Sequence, residues 1–240
     1  MNLATLLLLI VGIPCAALHA QTDASKAAPV PSSVPSSTEG TALTPQETSK
    51  PTASVTSMLP DEIAGFATFP APIQAFVRKA LELTKQNLRY QFGSSDPKAG
   101  GMDCSGTVFR VLSDCGLTTA PRQSDEMCRW VMRQTVLYRT EDTTTIKDPA
   151  FSALKPGDLL FWTGTYETST PRELPVSHVM IYLGKRQSDG KPIIFGASDG
   201  RTFENARRSG VSVFDFSLPS RGEKSAFFGY GPVPGIAGAK

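Results

Sequence analysis

Histidine is scarce in this chain, which has two among its 240 residues, His19 and His178. Zinc peptidases and amidases usually bind their metal through two or three imidazoles, so the sequence excludes that class and we expect neither a metal nor a cofactor. His19 lies in an N-terminal segment that we expect to be removed. Any enzyme that pairs a cysteine with a histidine here therefore has to use His178.

The chain also lacks a large net charge and any apolar run long enough to cross a bilayer. Its formal charge of +2 is too small to indicate a nucleic-acid partner, although it is compatible with an anionic polymer. The apolar run at residues 6–18 has the length of a signal-peptide core. We predict a signal peptide over residues 1–20, without the usual basic residues at its start.

Two other interpretations of this N-terminus stay open. In one of them, the apolar segment is not cleaved and anchors the protein in the membrane. In the other, Cys15 carries a lipid, although Pro14 is a poor residue before a lipidation site. Cleavage ranks first. All three place the remaining chain outside the cytoplasm, in the periplasm, the cell envelope or the medium.

Large apolar side chains are rare between residues 21 and 58, where Ser, Thr, Pro and Ala dominate. Such a stretch buries too little surface to offset its chain entropy, so we predict a disordered linker. The folded domain is predicted over residues 59–240, with 40% hydrophobic residues in the chain as a whole.

Helical periodicity comes first in the domain and strand-like segments follow. Apolar spacing predicts helices over residues 72–88, from Asp103 to a glycine stop at Gly116, and over about residues 121–134. Short apolar or alternating runs predict strands at residues 158–162, 179–183, 193–197, 211–216 and 226–230. This order predicts an α+β domain whose N-terminal helices pack on a mostly antiparallel sheet.

Cys104 directly follows Asp103, a favourable N-cap residue, at the start of the second helix. The helix N-terminus is predicted to favour the thiolate, and its free N–H groups are suited to hold the oxyanion of a tetrahedral intermediate. His178 opens a strand and is the candidate base. Cys104 and His178 together indicate a cysteine hydrolase.

Cys115 and Cys128 complete the cysteines of the predicted domain. Two interpretations are equally acceptable: the two thiols form a disulfide, or both are small buried hydrophobic side chains.

Five blocks carry a resemblance to a known family. They are residues 88–94, 102–108, 121–124, 154–162 and 177–184. In this order they resemble the aromatic–glycine, Asp-Cys-Ser-Gly, Pro-Arg-x-Ser, Pro-Gly-Asp-Leu and His-Val-x-Ile-Tyr blocks of the NlpC family of bacterial cell-wall cysteine peptidases. The resemblance implies a papain-like fold and cleavage of peptidoglycan stem peptides, typically beside γ-D-glutamate.

On that pattern Cys104 is the nucleophile and His178 the base. Tyr90, Asp103 and Ser105 match positions that line the pocket for residues upstream of the scissile bond. Arg122 lies in a matching block and is given a substrate-contacting or structural role. The segments 135–153 and 163–176 are long for the family and are expected to reshape the cleft.

One position departs from the family, which usually has a third polar residue, often histidine, early in the strand after the catalytic histidine. Gly196 stands there in this chain. A backbone carbonyl, Ser198 or Asp199 is left to orient the imidazole. Two alternatives therefore remain beside the peptidase: a related papain-like amidase or acyltransferase, and a non-catalytic wall-binding protein.

Residues 196–200 also match the G-x-S-x-G pattern of serine hydrolases. That fold needs a histidine after the serine, and none follows Ser198. We therefore interpret this segment as a glycine-rich turn, and residues 184–190 as a hairpin connection.

Overall fold

A computed structural model describes residues 52–140, 143–167 and 171–236. The predicted signal peptide and most of the predicted linker lie outside these residues. In the part described, no helix is long and apolar enough to cross a membrane.

Three helices precede most of the sheet: α1 (Ala71–Thr84), α2 (Cys104–Asp114) and α3 (Ser124–Gln134). Helix α1 ends before the predicted Leu88 because the chain turns at Asn87, which has a positive φ of 50°. Helix α3 begins three residues after the predicted Pro121, since the preceding segment turns its arginine towards α2. Gly116, at φ 85°, follows α2 as predicted.

Eight strands are present in the described residues. They are β1 (Arg89–Tyr90), β2 (Gly101–Met102), β3 (Tyr138–Arg139), β4 (Leu159–Thr163), β5 (Val176–Lys185), β6 (Pro192–Phe203), β7 (Ala206–Asp215) and β8 (Ala226–Gly231). Six form an antiparallel sheet in the order β3-β8-β4-β5-β6-β7. The predicted α+β class is confirmed, and all five predicted strands are present.

The strands β1 and β2 were not predicted, because two residues are too few to show a period. They pair in parallel, with Tyr90 opposite Met102. This pairing places Tyr90 beside the segment that enters α2, and it thereby links the aromatic–glycine block to Cys104.

The sheet has an apolar core on each face. On one face the helices pack against alternate strand residues such as Phe161, Val179 and Ile181. The other face carries a mostly aromatic cluster that includes Trp162 and Met180. The period of two in β4 and β5 separates these sets and leaves both strands buried on both faces.

The G-x-S-x-G segment is not a turn. Residues 196–200 continue β6, which pairs with β7 through Gly196 and Ser212 and has a register irregularity between Ser198 and Arg201. The interpretation as a glycine-rich turn was therefore wrong, because a long hairpin partner extends the strand. The hairpin connection predicted between β5 and β6 is confirmed.

Ordered contacts begin before Leu59, the predicted start of the domain. Ser54 exchanges backbone hydrogen bonds of 2.8 and 3.0 Å with Ser209 in β7. The Thr56 N–H donates to the Ser212 hydroxyl at 2.8 Å, and the Met58 side chain is buried. Linker-like composition concealed this segment, since its edge pairing needs backbone groups more than apolar side chains.

We expect a chain that begins at Leu59 to be less stable than one that begins at Thr52. The shorter chain loses the β7 edge contacts and the burial of Met58, which together are worth about 2–4 kcal/mol. Thermal unfolding of the two chains measures the difference. Equal midpoints would show that the segment before Leu59 contributes nothing to the fold.

Candidate active site

The site is built around the Asp103 carboxylate at the N-terminus of α2. Its Oδ1 accepts hydrogen bonds from the Gly106 N–H at 2.5 Å and from the Ser105 hydroxyl at 3.4 Å. Its Oδ2 accepts from the Gly93 N–H and from the Arg122 guanidinium, both at 2.8 Å. Asp103 therefore caps α2 as predicted and joins the loop after β1 to the segment before α3.

Cys104 occupies the first turn of α2 and is buried. Its sulfur lies beside the backbone N–H groups of Val179 in β5 and of Ser105. Val179 immediately follows His178, so the fold brings the predicted nucleophile to the strand that carries the predicted base.

The thiol is more weakly acidic than the helix N-terminus led us to predict. Burial first, and then the negative charge of Asp103, raise the pKa of Cys104 to about 11, against smaller lowering effects of the two backbone N–H groups and of Arg122. The Ser105 N–H group in the first turn of α2 lowers the pKa, as the helix terminus predicts, but desolvation outweighs this effect.

The His178 imidazole is buried and contacts the Trp162 ring. Its ring lies edge-on to Trp162 in β4, with 5.6 Å between centroids. Burial, and then the charge of Arg201, lower the pKa of His178 to about 3. These pKa values leave both the Cys104 thiol and the His178 imidazole neutral at pH 7.

No side chain orients this imidazole through a hydrogen bond within the described ranges. Ser198 and Asp199, the two side chains considered for that task, make no such contact, and the charge of Asp199 acts on Tyr90 instead. The backbone carbonyl considered as a third option is likewise not seen to accept a hydrogen bond from His178.

Met180 occupies the space opposite Gly196, where the family usually has a third polar residue. A Cβ atom built on Gly196 would lie 2.8 Å from the Met180 Cγ. Met180 is completely buried on the face of the sheet that carries Trp162. A methionine side chain in β5 thus fills the space that a side chain at position 196 would need.

Arg201 is a member of the site that the sequence did not reveal. Its guanidinium stacks on Trp162, with 4.5 Å from Cζ to the ring centroid. Its charge acts on both Cys104 and His178. Arg201 follows the register irregularity in β6, and no local motif marks its position.

Tyr90 and Ser105 lie next to the nucleophile, as the family pattern implied. Burial raises the pKa of the Tyr90 phenol well above its ordinary value, and the charges of Cys104 and Asp103 act in the same direction. Tyr90 therefore keeps its proton and can donate a hydrogen bond. The Ser105 hydroxyl accepts a hydrogen bond from Arg122 at 2.8 Å.

Arg122 has a structural role, because two hydrogen bonds hold its guanidinium in place. It bridges the Asp103 carboxylate and the Ser105 hydroxyl. Asp103 already accepts from four protein donors, so its main task is to organise the helix terminus. Its assignment to substrate binding, like those of Tyr90 and Ser105, stays a prediction.

The long segment after β4 reaches the same region. Tyr166 packs edge-on against the exposed Phe92, with 5.4 Å between centroids. Its hydroxyl accepts a hydrogen bond from Arg172 at 2.8 Å, and Arg172 pairs with Asp125 of α3 at 3.3 Å. This segment therefore adds an aromatic wall near Tyr90.

In the part of the chain described, the other cysteines and the acidic side chains form neither a disulfide nor a metal site. Cys115 and Cys128 are both free, which excludes the disulfide alternative in this structure. No group of three or more His, Cys, Asp or Glu side chains there could hold a metal ion.

The α+β fold carries a cysteine at a helix N-terminus and a histidine on the neighbouring strand, the arrangement that the family resemblance implies. The NlpC/P60 family matches residues 87–215, which is more than half of the chain. The chain belongs to the NlpC/P60 family, whose members are generally cysteine peptidases or amidases.

Among solved structures, the chain resembles a lipoprotein-like protein of the NLP/P60 family from Staphylococcus aureus subsp. aureus Mu50. The sequences are 23% identical, the TM-score is 0.44, and the match covers 69% of this chain and 42% of the other. A search of curated proteins gave no match.

The pKa of Cys104 leads to a prediction for thiol alkylation. Because the thiolate is the reactive form, its rate with iodoacetamide should rise about tenfold per pH unit between about pH 7 and pH 10. Peptide mapping by mass spectrometry measures the rate, with Cys104→Ala as the background. A rate that is already constant at neutral pH would show a thiolate–imidazolium pair instead.

Met180 and Gly196 should be strongly coupled. Gly196→His alone is expected to cost about 1–3 kcal/mol through overpacking against Met180. Met180→Ala in the same chain provides room, so the double variant should be more stable than the sum of the single changes predicts. Chemical unfolding of all four proteins measures the coupling, and simple additivity would contradict the packing argument.

Proposed function

We propose that the protein is a cysteine peptidase that hydrolyses peptidoglycan stem peptides. The observation that carries the proposal is the position of the Cys104 sulfur, at the N-terminus of α2 and beside the N–H group that follows His178 in β5. Membership of the NlpC/P60 family supports a cell-wall substrate.

Acylation starts from the neutral pair. His178 accepts the proton of the Cys104 thiol as the sulfur attacks the carbonyl carbon of the substrate. The backbone N–H group of Cys104 stabilises the oxyanion that forms, since the N–H groups of Ser105 and Gly106 already face the sulfur and the Asp103 carboxylate. The carbon–nitrogen bond then breaks, His178 returns the proton to the departing amine, and the acyl group remains on Cys104 as a thioester.

Deacylation repeats the sequence with water. His178 takes a proton from the water molecule, whose oxygen attacks the thioester carbonyl. Collapse of the second intermediate releases the carboxylic acid and returns the proton to the Cys104 sulfur. The cycle consumes one water molecule per bond and leaves the protein unchanged.

The bond after γ-D-glutamate is the proposed point of cleavage. The protonated phenol of Tyr90 and the hydroxyl of Ser105 lie close to Cys104 and offer polar contacts to the residues before that bond. Asp103 holds Ser105 in place, directly and through Arg122. The protein would act outside the cytoplasm, in agreement with the predicted signal peptide.

Two alternatives follow from the same site. An amidase or acyltransferase would use Cys104 and His178 on a different acyl group. A non-catalytic wall-binding protein is favoured by one observation, namely that Met180 fills the place of an orienting residue opposite Gly196. Products separate the first alternative from the peptidase, and the absence of turnover separates the second.

The test is mass spectrometry of muropeptides after incubation with the chain that lacks residues 1–20. We expect a new product that ends in D-glutamate. Cys104→Ala and His178→Ala should each reduce the rate by at least about a thousandfold, because nucleophile and base act as one unit.

Cys115→Ser is the matched control, since it removes a free thiol at the C-terminal end of α2, opposite the end that carries Cys104. It should cleave at the parent rate. Cleavage by the Cys104→Ala protein would contradict the assignment of the nucleophile. A folded, reduced parent protein that gives no product would favour the wall-binding alternative.

A further inference from the structure

Arg201 differs from several other buried or half-buried arginines of the domain, which pair with carboxylates. Arg122 pairs with Asp103, Arg172 with Asp125, and Arg186 with Asp189. The Arg201 side chain, like that of the half-buried Arg208 opposite it in β7, makes neither an ion pair nor a hydrogen bond with the described residues, and its guanidinium contacts the Trp162 ring. A largely shielded guanidinium without an anion is costly, because partial burial weakens its hydration and no partner charge compensates for the loss.

The position of this cation connects it with the reacting groups. Arg201 stacks on Trp162, and the same indole contacts the His178 ring. Burial lowers the pKa of Arg201 to about 10, and the charge of a Cys104 thiolate opposes that shift. The guanidinium is therefore charged at neutral pH and lies within electrostatic reach of nucleophile and base.

A lone cation is unfavourable for the proposed chemistry. His178 has to become an imidazolium when it takes the thiol proton, and the charge of Arg201 disfavours that form. Burial is the larger effect on His178, and no carboxylate among the described residues offsets either. An anion bound to Arg201 would remove the repulsion and favour transfer of the proton from Cys104.

We propose that Arg201 binds a carboxylate of the substrate next to the scissile bond, so that the substrate supplies the counter-charge that the protein lacks. The inference rests on the proposed peptidase function and specifies its substrate. The planar guanidinium suits a carboxylate because it donates two parallel hydrogen bonds. Neutral acyl donors of the same shape are then poor ligands.

Two carboxylates flank the bond in a γ-glutamyl peptide, one on the acyl residue and one on the leaving residue. Three probes distinguish them: L-Ala-γ-D-Glu-L-Lys, its analogue with the glutamyl α-carboxylate converted to a carboxamide, and its analogue with a lysine carboxamide. Calorimetric binding to the Cys104→Ala protein avoids turnover. The analogue that loses affinity identifies the carboxylate that Arg201 binds.

We expect one carboxamide probe to bind at least about tenfold more weakly than the parent peptide. In a Cys104→Ala, Arg201→Gln protein that difference should disappear, while Arg201→Lys should keep part of it. Arg207→Gln is the matched control, because Arg207 is an exposed arginine of β7 that hydrogen-bonds a backbone carbonyl. It should retain the full discrimination.

Turnover gives a second readout that a structural role would not change. In the protein with Cys104 intact, Arg201→Met should reduce kcat/KM for the carboxylate peptide at least about tenfold and leave the discriminated carboxamide equal or faster. Thermal unfolding checks that the variant is folded. A uniform loss on both peptides would overturn the proposal and leave Arg201 as a packing residue.

The binding experiment can reject the role of Arg201 without rejecting the proposed peptidase function. Equal affinity for all three probes, or no binding of any, would overturn carboxylate recognition by Arg201. Muropeptide cleavage by the unaltered protein would stand in either case, since it depends on Cys104 and His178. Cleavage without discrimination therefore rejects only the role of Arg201.

Discussion

The hydrogen bonds to the buried Asp103 carboxylate are the interactions on which the site depends. Four protein donors converge on its two oxygens and come from the loop after β1, the first turn of α2 and the segment before α3. A buried charge with all its partners is stable, whereas the loss of one partner leaves the others unpaired. Asp103 thus begins the helix that carries Cys104 and also holds the two adjoining segments, so the position of Cys104, the proposed nucleophile, depends on this carboxylate.

Electrostatics gives the free protein a resting state. Burial opposes charge on both reacting groups, raising the pKa of Cys104 and lowering that of His178. An ion pair between them is consequently unfavourable until something compensates the desolvation. A raised pKa leaves little thiolate at neutral pH, and this slows oxidation and alkylation of the thiol.

Short sequence patterns were enough to predict part of the candidate site. An N-cap before Cys104, a strand that opens with His178 and the alternation of β4 and β5 are short-range patterns, and the structure agrees with them. Arg201 could not be found in this way, because a strand irregularity and the stacking on Trp162 bring it to the site from a distant part of β6. The raised pKa of Cys104 could not be predicted for a similar reason, since burial is a property of the whole fold. Chains of linker-like composition, such as residues 54–58, join a sheet edge through backbone groups that composition does not reveal.

The close approach of Met180 to Gly196 also bears on how this sequence can change. A polar side chain introduced at position 196 would bring its Cβ atom to 2.8 Å from the Met180 Cγ. Two substitutions then accommodate it best, and their order matters: enlarging position 196 first gives a crowded intermediate, whereas shrinking position 180 first leaves a cavity. Both routes pass through a less stable protein.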